Sequence, residues 1–166
     1  MGNRAIAAFF ALAATALCPR DAAADQGFGV HLGYAIGGAF ASETVGSGLR
    51  QGLDAFVGLG EFDVNGSSSG MWSSHSGWLI GPSLVTGFGA YPTYGAIEWA
   101  RCEDTTLAGL ALGVGPAMRF TPEPAGGLSL RAHGDLFFLQ VGARVLAMVT
   151  PDPEAVLLGT IGLGRY

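Results

Sequence analysis

Ser74-His75-Ser76 sets an imidazole between two hydroxyls, the ingredients of an activated nucleophile. In a β-strand, however, adjacent side chains point to opposite faces, so His75 is badly placed to take a proton from either serine, and a polar rim segment is expected instead. His133 and Asp135 stand two apart and share a face, a spacing at which a carboxylate can orient an imidazole. No matching nucleophile accompanies them, and they read as members of a polar network. A metal site through His31, His75 and His133 would need three distant strands to converge, which their spacing does not suggest. Gly58-Leu59-Gly60 lacks the helix N-terminus that a phosphate loop requires. The expectation is therefore no catalytic residue, no metal and no cofactor.

The two cysteines add little. Cys18 lies in an apolar N-terminal run and follows Leu17, where lipid anchoring would need a small residue. Cys102 then stands alone, unable to form an internal disulfide, and reads as an inert strand-end thiol.

Charge narrows the class further. Only 13% of residues are charged, and the net charge is -5 with every basic side chain an arginine. A small soluble domain carries roughly 25–35% charge on its surface, with lysine guarding exposed sheet. Without a basic stretch the chain has no electrostatic footprint for nucleic acid. Residues 1–24 read as a cleaved signal peptide: Arg4, then the apolar run Ala5–Leu17, then Ala22-Ala23-Ala24 before the cut. That run falls short of the roughly 20 residues a spanning helix needs. Residues 25–166 remain as one domain.

The elements that must position these side chains are strands. From Gly27 to Ala41 the period is two, with Phe28, Val30, Leu32, Tyr34 and Ile36 on one face and His31, Ala35 and several glycines on the other. The pattern returns from Leu49 to Gly60, Trp72 to Thr86, Tyr91 to Arg101 and Thr105 to Phe120. Pro82 weakens the third of these and irregular alternation the fourth. Between Leu128 and Val149 the parity inverts, so a turn or bulge must intervene, placed near Leu139-Gln140 with His133-Gly134-Asp135 as the alternative. Glu154 to Tyr166 is the last strand. Asn65 to Gly70 reads as a linker, within a long connection from Glu61 to Met71. The sum is about eight strands in an all-β, antiparallel up-and-down β-barrel.

Which face is outside follows from the minor face, which is mostly Gly and Ala with occasional charge and suits a narrow lumen rather than water. On this reading Arg50, Asp54, Arg119, Arg131, His133, Asp135 and Arg144 point inward as a polar network, with Arg131 and Asp135 among its pairs. Trp72, Trp78, Tyr91, Tyr94 and Trp99 are candidates for an aromatic girdle at a membrane interface.

The signal peptide, the Gly-rich alternation and the final Leu158-Gly159-Thr160-Ile161-Gly162-Leu163-Gly164-Arg165-Tyr166 together resemble small eight-stranded outer-membrane barrels of the OmpA and OmpX type. Two features depart from that pattern: Tyr166 has the opposite parity to Ile161 and Leu163, and the Glu61 to Met71 connection is long. The resemblance implies an exported protein of a bacterial-type outer membrane, with outer-membrane lipid as its partner and a structural or interaction role. The alternatives are a lipid-modifying enzyme in the same barrel and a soluble periplasmic or secreted barrel resembling lipocalins.

Overall fold

Alternation along the chain becomes eight antiparallel strands: β1 (Asp25–Phe40), β2 (Gly48–Gly66), β3 (Ser73–Gly87), β4 (Thr93–Thr105), β5 (Ala108–Arg119), β6 (Ala125–Leu136), β7 (Leu139–Thr150) and β8 (Glu154–Arg165). The computed structural model describes residues 25–40, 48–66, 73–88, 92–105, 107–150 and 153–165. Each strand pairs with its sequence neighbour, and β8 returns to β1 from Val30↔Arg165 to Phe40↔Ala155, closing the barrel. Closure gives every strand two hydrogen-bonded neighbours and leaves no open edge.

Up-and-down order puts Asp25 and Arg165 at one end, here called the terminal end, together with Gly66, Thr105 and the 137–138 turn. Phe40, Gly48, Gly87, Thr93, Glu154 and the 120–124 connection lie at the opposite end.

Three boundaries differ from the sequence reading. β2 does not stop before a long linker: Glu61 to Gly66 pairs with Trp78 to Ser73, so only 67–72 connects the two strands. β4 runs on past Arg101 to Thr105, where β5 was expected to begin. The parity inversion is a tight turn at Phe137-Phe138, between the paired Leu136 and Leu139, with Phe137 at φ 58°. An L-residue rarely adopts that conformation, and a Phe-Phe turn carries none of the Gly, Asn or Pro signals that mark a hairpin.

Prolines mark two local breaks. The β2–β3 ladder skips Gly81-Pro82 and the β4–β5 ladder skips Gly115-Pro116, because proline has no N–H to donate. The glycine before each lets the neighbouring backbone press in: a Cβ on Gly115 would sit 1.8 Å from the Ile97 carbonyl oxygen.

The large apolar side chains face outward. Phe28, Leu32, Leu112, Leu130, Val141 and Leu163 are all more than half exposed, and they come from β1, β5, β6, β7 and β8. Inside, side chains form layers. Toward the opposite end Ala35, Val85, Tyr94, Leu146, Met148 and Leu158 make an apolar cluster, and toward the terminal end Phe56, Phe62, Leu79, Cys102 and Ala111 make a second. Charged and polar groups fill the space between. Glycines on the lumen face make room for these side chains to lie flat: a Cβ on Gly58 would meet the Phe56 ring at 2.5 Å, and one on Gly142 the His133 ring at 1.8 Å. The glycine-rich face is thus the floor beneath bulky neighbours.

Candidate functional site

The inward parity of β2, β4, β6 and β7 brings Asp54, Glu98, Ser129, Arg131 and Arg144 to one level of the lumen, all buried. Arg144 is the hub. Its Nη1 donates to Asp54 Oδ1 at 2.5 Å and its Nε to Ser129 Oγ at 3.2 Å, while Nη2 reaches both Ser83 Oγ and Glu98 Oε1. Ser129 Oγ in turn donates to Glu98 Oε1 at 2.7 Å. Arg131 Nε lies 3.1 Å from Glu98 Oε2, and its guanidinium stacks 3.9 Å above the Phe56 ring, joining the charged layer to the apolar cluster beneath. Two arginines therefore face two carboxylates, a matched set, which is the condition under which charge is tolerated away from water.

A second ionic group lies nearer the opposite end. Arg119 Nη1 donates to Glu154 Oε2 at 2.9 Å, Tyr94 Oη donates to Glu154 Oε1 at 3.0 Å, and Arg119 Nε donates to the Glu123 carbonyl at 2.9 Å.

On the other flank of Arg144, β1 and β6 bring His31 and His133 together with ring centroids 4.3 Å apart. His31 Nδ1 meets Gln140 Oε1, and Thr160 Oγ1 lies 2.8 Å from His133 Nε2. His31 Nε2 and His133 Nε2 stand 3.7 and 3.9 Å from Asp54 Oδ2. Two of the three histidines thus do converge, together with an aspartate that the spacing argument had not joined to them. His75 stays apart, on β3 in register with Val64 and Asp104.

Arg50, Asp54, Arg119, Arg131, His133, Asp135 and Arg144 are all buried on the lumen side, spread over more than one level. Arg50 and Arg119 belong to the opposite-end half. The expected Arg131–Asp135 pair is replaced by Arg131–Glu98, because Asp135 lies toward the terminal end of β6. There its Oδ1 crowds over Gly109 beside Asp104, whose Oδ2 is met by Arg165 Nε at 3.2 Å.

No protein-family model and no curated protein sequence matches the chain. Among solved structures it is similar to Ail, the attachment invasion locus protein of Yersinia pestis, in complex with the heparin analogue sucrose octasulfate. That match has 10% identity over 84% of this chain and 97% of that one, with a TM-score of 0.37. It is also similar to Neisserial surface protein A, at 12% identity over 85% and 99% of the two chains and a TM-score of 0.36. At such low identity and TM-score, neither neighbour's role transfers to this chain.

The aromatic candidates scatter. Tyr94 is inside, 3% exposed and bonded to Glu154, so it is a lumen residue and not an interface one. Trp99 faces outward at 62% exposure but sits mid-strand, in register with Ile80 and Val114, away from either rim. Trp78 faces outward with the Arg101 guanidinium 5.3 Å above its ring. Trp72 and Tyr91 lie outside the described residues, as do the signal segment, Cys18 and Tyr166.

Sequence reasoning missed Glu98, Glu154, Ser83, Gln140 and Thr160. Parity alone could have flagged Glu98, which alternates with Ala96 and Ala100 on the inner face of β4. Its signal was lost because Tyr94 and Trp99 drew β4 toward the interface reading.

Proposed function

We propose that the mature chain, released by cleavage after Ala24, spans a bacterial-type outer membrane as a sealed barrel whose role is structural or interactive rather than conductive or catalytic. One observation carries this reading: the wall is inverted relative to a water-soluble barrel, with large apolar side chains outside and Arg50, Asp54, Glu98, Arg119, Arg131, Arg144 and Glu154 inside. In water such a surface would be one continuous apolar patch far above the few hundred Å² that soluble monomers expose. Against lipid it has no such penalty, because closed ladders meet every backbone group that the bilayer cannot. A lipocalin-like carrier needs the opposite arrangement and an enclosed apolar volume, whereas here side chains occupy the lumen. The stacked layers from Tyr94 and Met148 down to Phe56 and Leu79 support a lumen closed to solutes. On this reading the surfaces left for partners are the outer wall and the rims, with outer-membrane lipid the first of them.

The test uses two cysteine positions in β5, with Cys102 changed to Ser. A fluorophore on Leu112→Cys should be strongly dimmed by a quencher carried on lipid chains, and one on Ala111→Cys only weakly, since the two side chains face opposite ways. Absence of quenching at both positions, together with recovery of the protein in the soluble periplasmic fraction, would overturn the proposal.

A further inference from the structure

We propose that His31, Asp54 and His133 form a site for a divalent transition metal, of the zinc or copper class, inside the lumen. One donor atom from each residue can be chosen so that all three lie within 4.8 Å of one another, contributed by β1, β2 and β6 and all buried. His31 Nε2 faces Asp54 Oδ2 at 3.7 Å, and neither atom has a hydrogen-bond partner among the described residues. That gap is too wide for a hydrogen bond, which closes to about 3.2 Å or less. It is close to the roughly 3.4 Å that separates two donors on one tetrahedral ion with bonds of about 2.1 Å. A shared ion would satisfy both atoms at once.

The surroundings fit a metal centre. Metal-binding imidazoles hold their second nitrogen on a hydrogen-bond partner, which fixes the ring and directs the other nitrogen at the ion. Gln140 Oε1 does this for His31 by meeting Nδ1. Asp54 Oδ1 is held by Arg144, which leaves Oδ2 turned toward the two rings. Thr160 Oγ1 meets His133 Nε2, and the ion would take its place at that nitrogen. Two imidazoles and one carboxylate suit zinc or copper, whereas calcium and magnesium seek six or more oxygens. Arg131 and Arg144 are already matched by Glu98 and Asp54, so a dication adds uncompensated charge, and binding must come from imidazole donation. That again selects strong nitrogen acceptors, copper above zinc.

The chain has only three histidines, which makes the test sharp. Untagged His75→Gln protein is refolded into detergent with copper(II) chloride, so that the ion enters before the lumen closes, and free ion is then removed by gel filtration. We expect about one copper retained per chain, with nitrogen hyperfine coupling from two imidazoles in the paramagnetic resonance spectrum; in this variant those can only be His31 and His133. His31→Gln should lower retention by at least about tenfold, and Gln140→Leu should weaken it while preserving the two-nitrogen pattern. Loss of copper from folded His75→Gln protein, or a spectrum with one nitrogen or none, would overturn the site. Because the decisive spectrum comes from a chain with both ligands intact, a folding failure of His31→Gln leaves the test standing.

Discussion

Arg119 and Arg144 are both fully buried arginines of one lumen, yet Arg119 meets Glu154 and a backbone carbonyl, whereas Arg144 meets Asp54 and Glu98 together with two serines. The first is a smaller group beside an apolar cluster, in which Tyr94 Oη also donates to Glu154. The second is the junction of five strands: Asp54 comes from β2, Ser83 from β3, Glu98 from β4 and Ser129 from β6, with Arg144 itself on β7. A buried pair on its own often does no better than an apolar substitute, since desolvation offsets its attraction, but a junction has no such simple replacement. The difference teaches that equal burial and equal charge do not mean equal structural weight.

The largest expected effect therefore belongs to Arg144→Met. It leaves Asp54 and Glu98 short of a cation and two serines short of a donor, and should cost about 3–5 kcal/mol. Urea unfolding from lipid vesicles would measure it, and a midpoint equal to the parent's would remove the hub from the account.

Double replacement should sharpen the contrast. Arg119→Met alone leaves Glu154 charged without its guanidinium, but combining it with Glu154→Leu should recover more than half of the single loss, because the unmatched charge is removed with it. Combining Arg144→Met with Asp54→Leu should recover less than half of the single loss, because Ser83, Ser129 and Glu98 still lack the guanidinium. Equal recovery in the two pairs would show that the distinction has no energetic content.

The smallest effect is expected at Asp135. Its Oδ1 has no hydrogen-bond partner among the described residues and lies beside the carboxylate of Asp104. Asp135→Leu should leave the unfolding midpoint within about 1 kcal/mol of the parent or raise it. A loss near that of Arg144→Met would place Asp135 inside the central network after all.

What could be read from the sequence and what could not divides along the range of the interactions. Alternation is a local property, so β1 and β5, the faces they present and the inward placement of Arg144 were legible from neighbours two residues apart. Phe137-Phe138 was not, because its turn is imposed by the pairing of Leu136 with Leu139 rather than by residues that favour turning. The extension of β2 was hidden for the converse reason: Asn65, Gly66 and the serines after them look like a linker, and only the partner strand shows that Glu61 to Gly66 is paired. Partner choice was least legible of all. Arg131 has a carboxylate four residues away in sequence but pairs with Glu98, because the lumen joins residues by level, and level depends on the register of every intervening strand. The meeting of His31 with His133 across the barrel depends on that same sum.

The seam between β1 and β8 has a consequence for how the molecule comes into being. Residues 25–40 find one partner, β2, almost at once in sequence, but their second edge waits for residues 155–165. Joining segments so far apart carries a large loop-closure entropy and is slow. Until it happens, β1 and β8 each expose a row of unanswered amides and carbonyls, and such edges add strands from any chain that drifts past. A chain halted before β8 is made has no way to finish, however well its first seven strands have paired. The barrel thus reaches its stable form only through an interval in which it is adhesive, and on the outer-membrane reading proposed above, whatever escorts it to the bilayer has to guard two edges at opposite ends of the sequence.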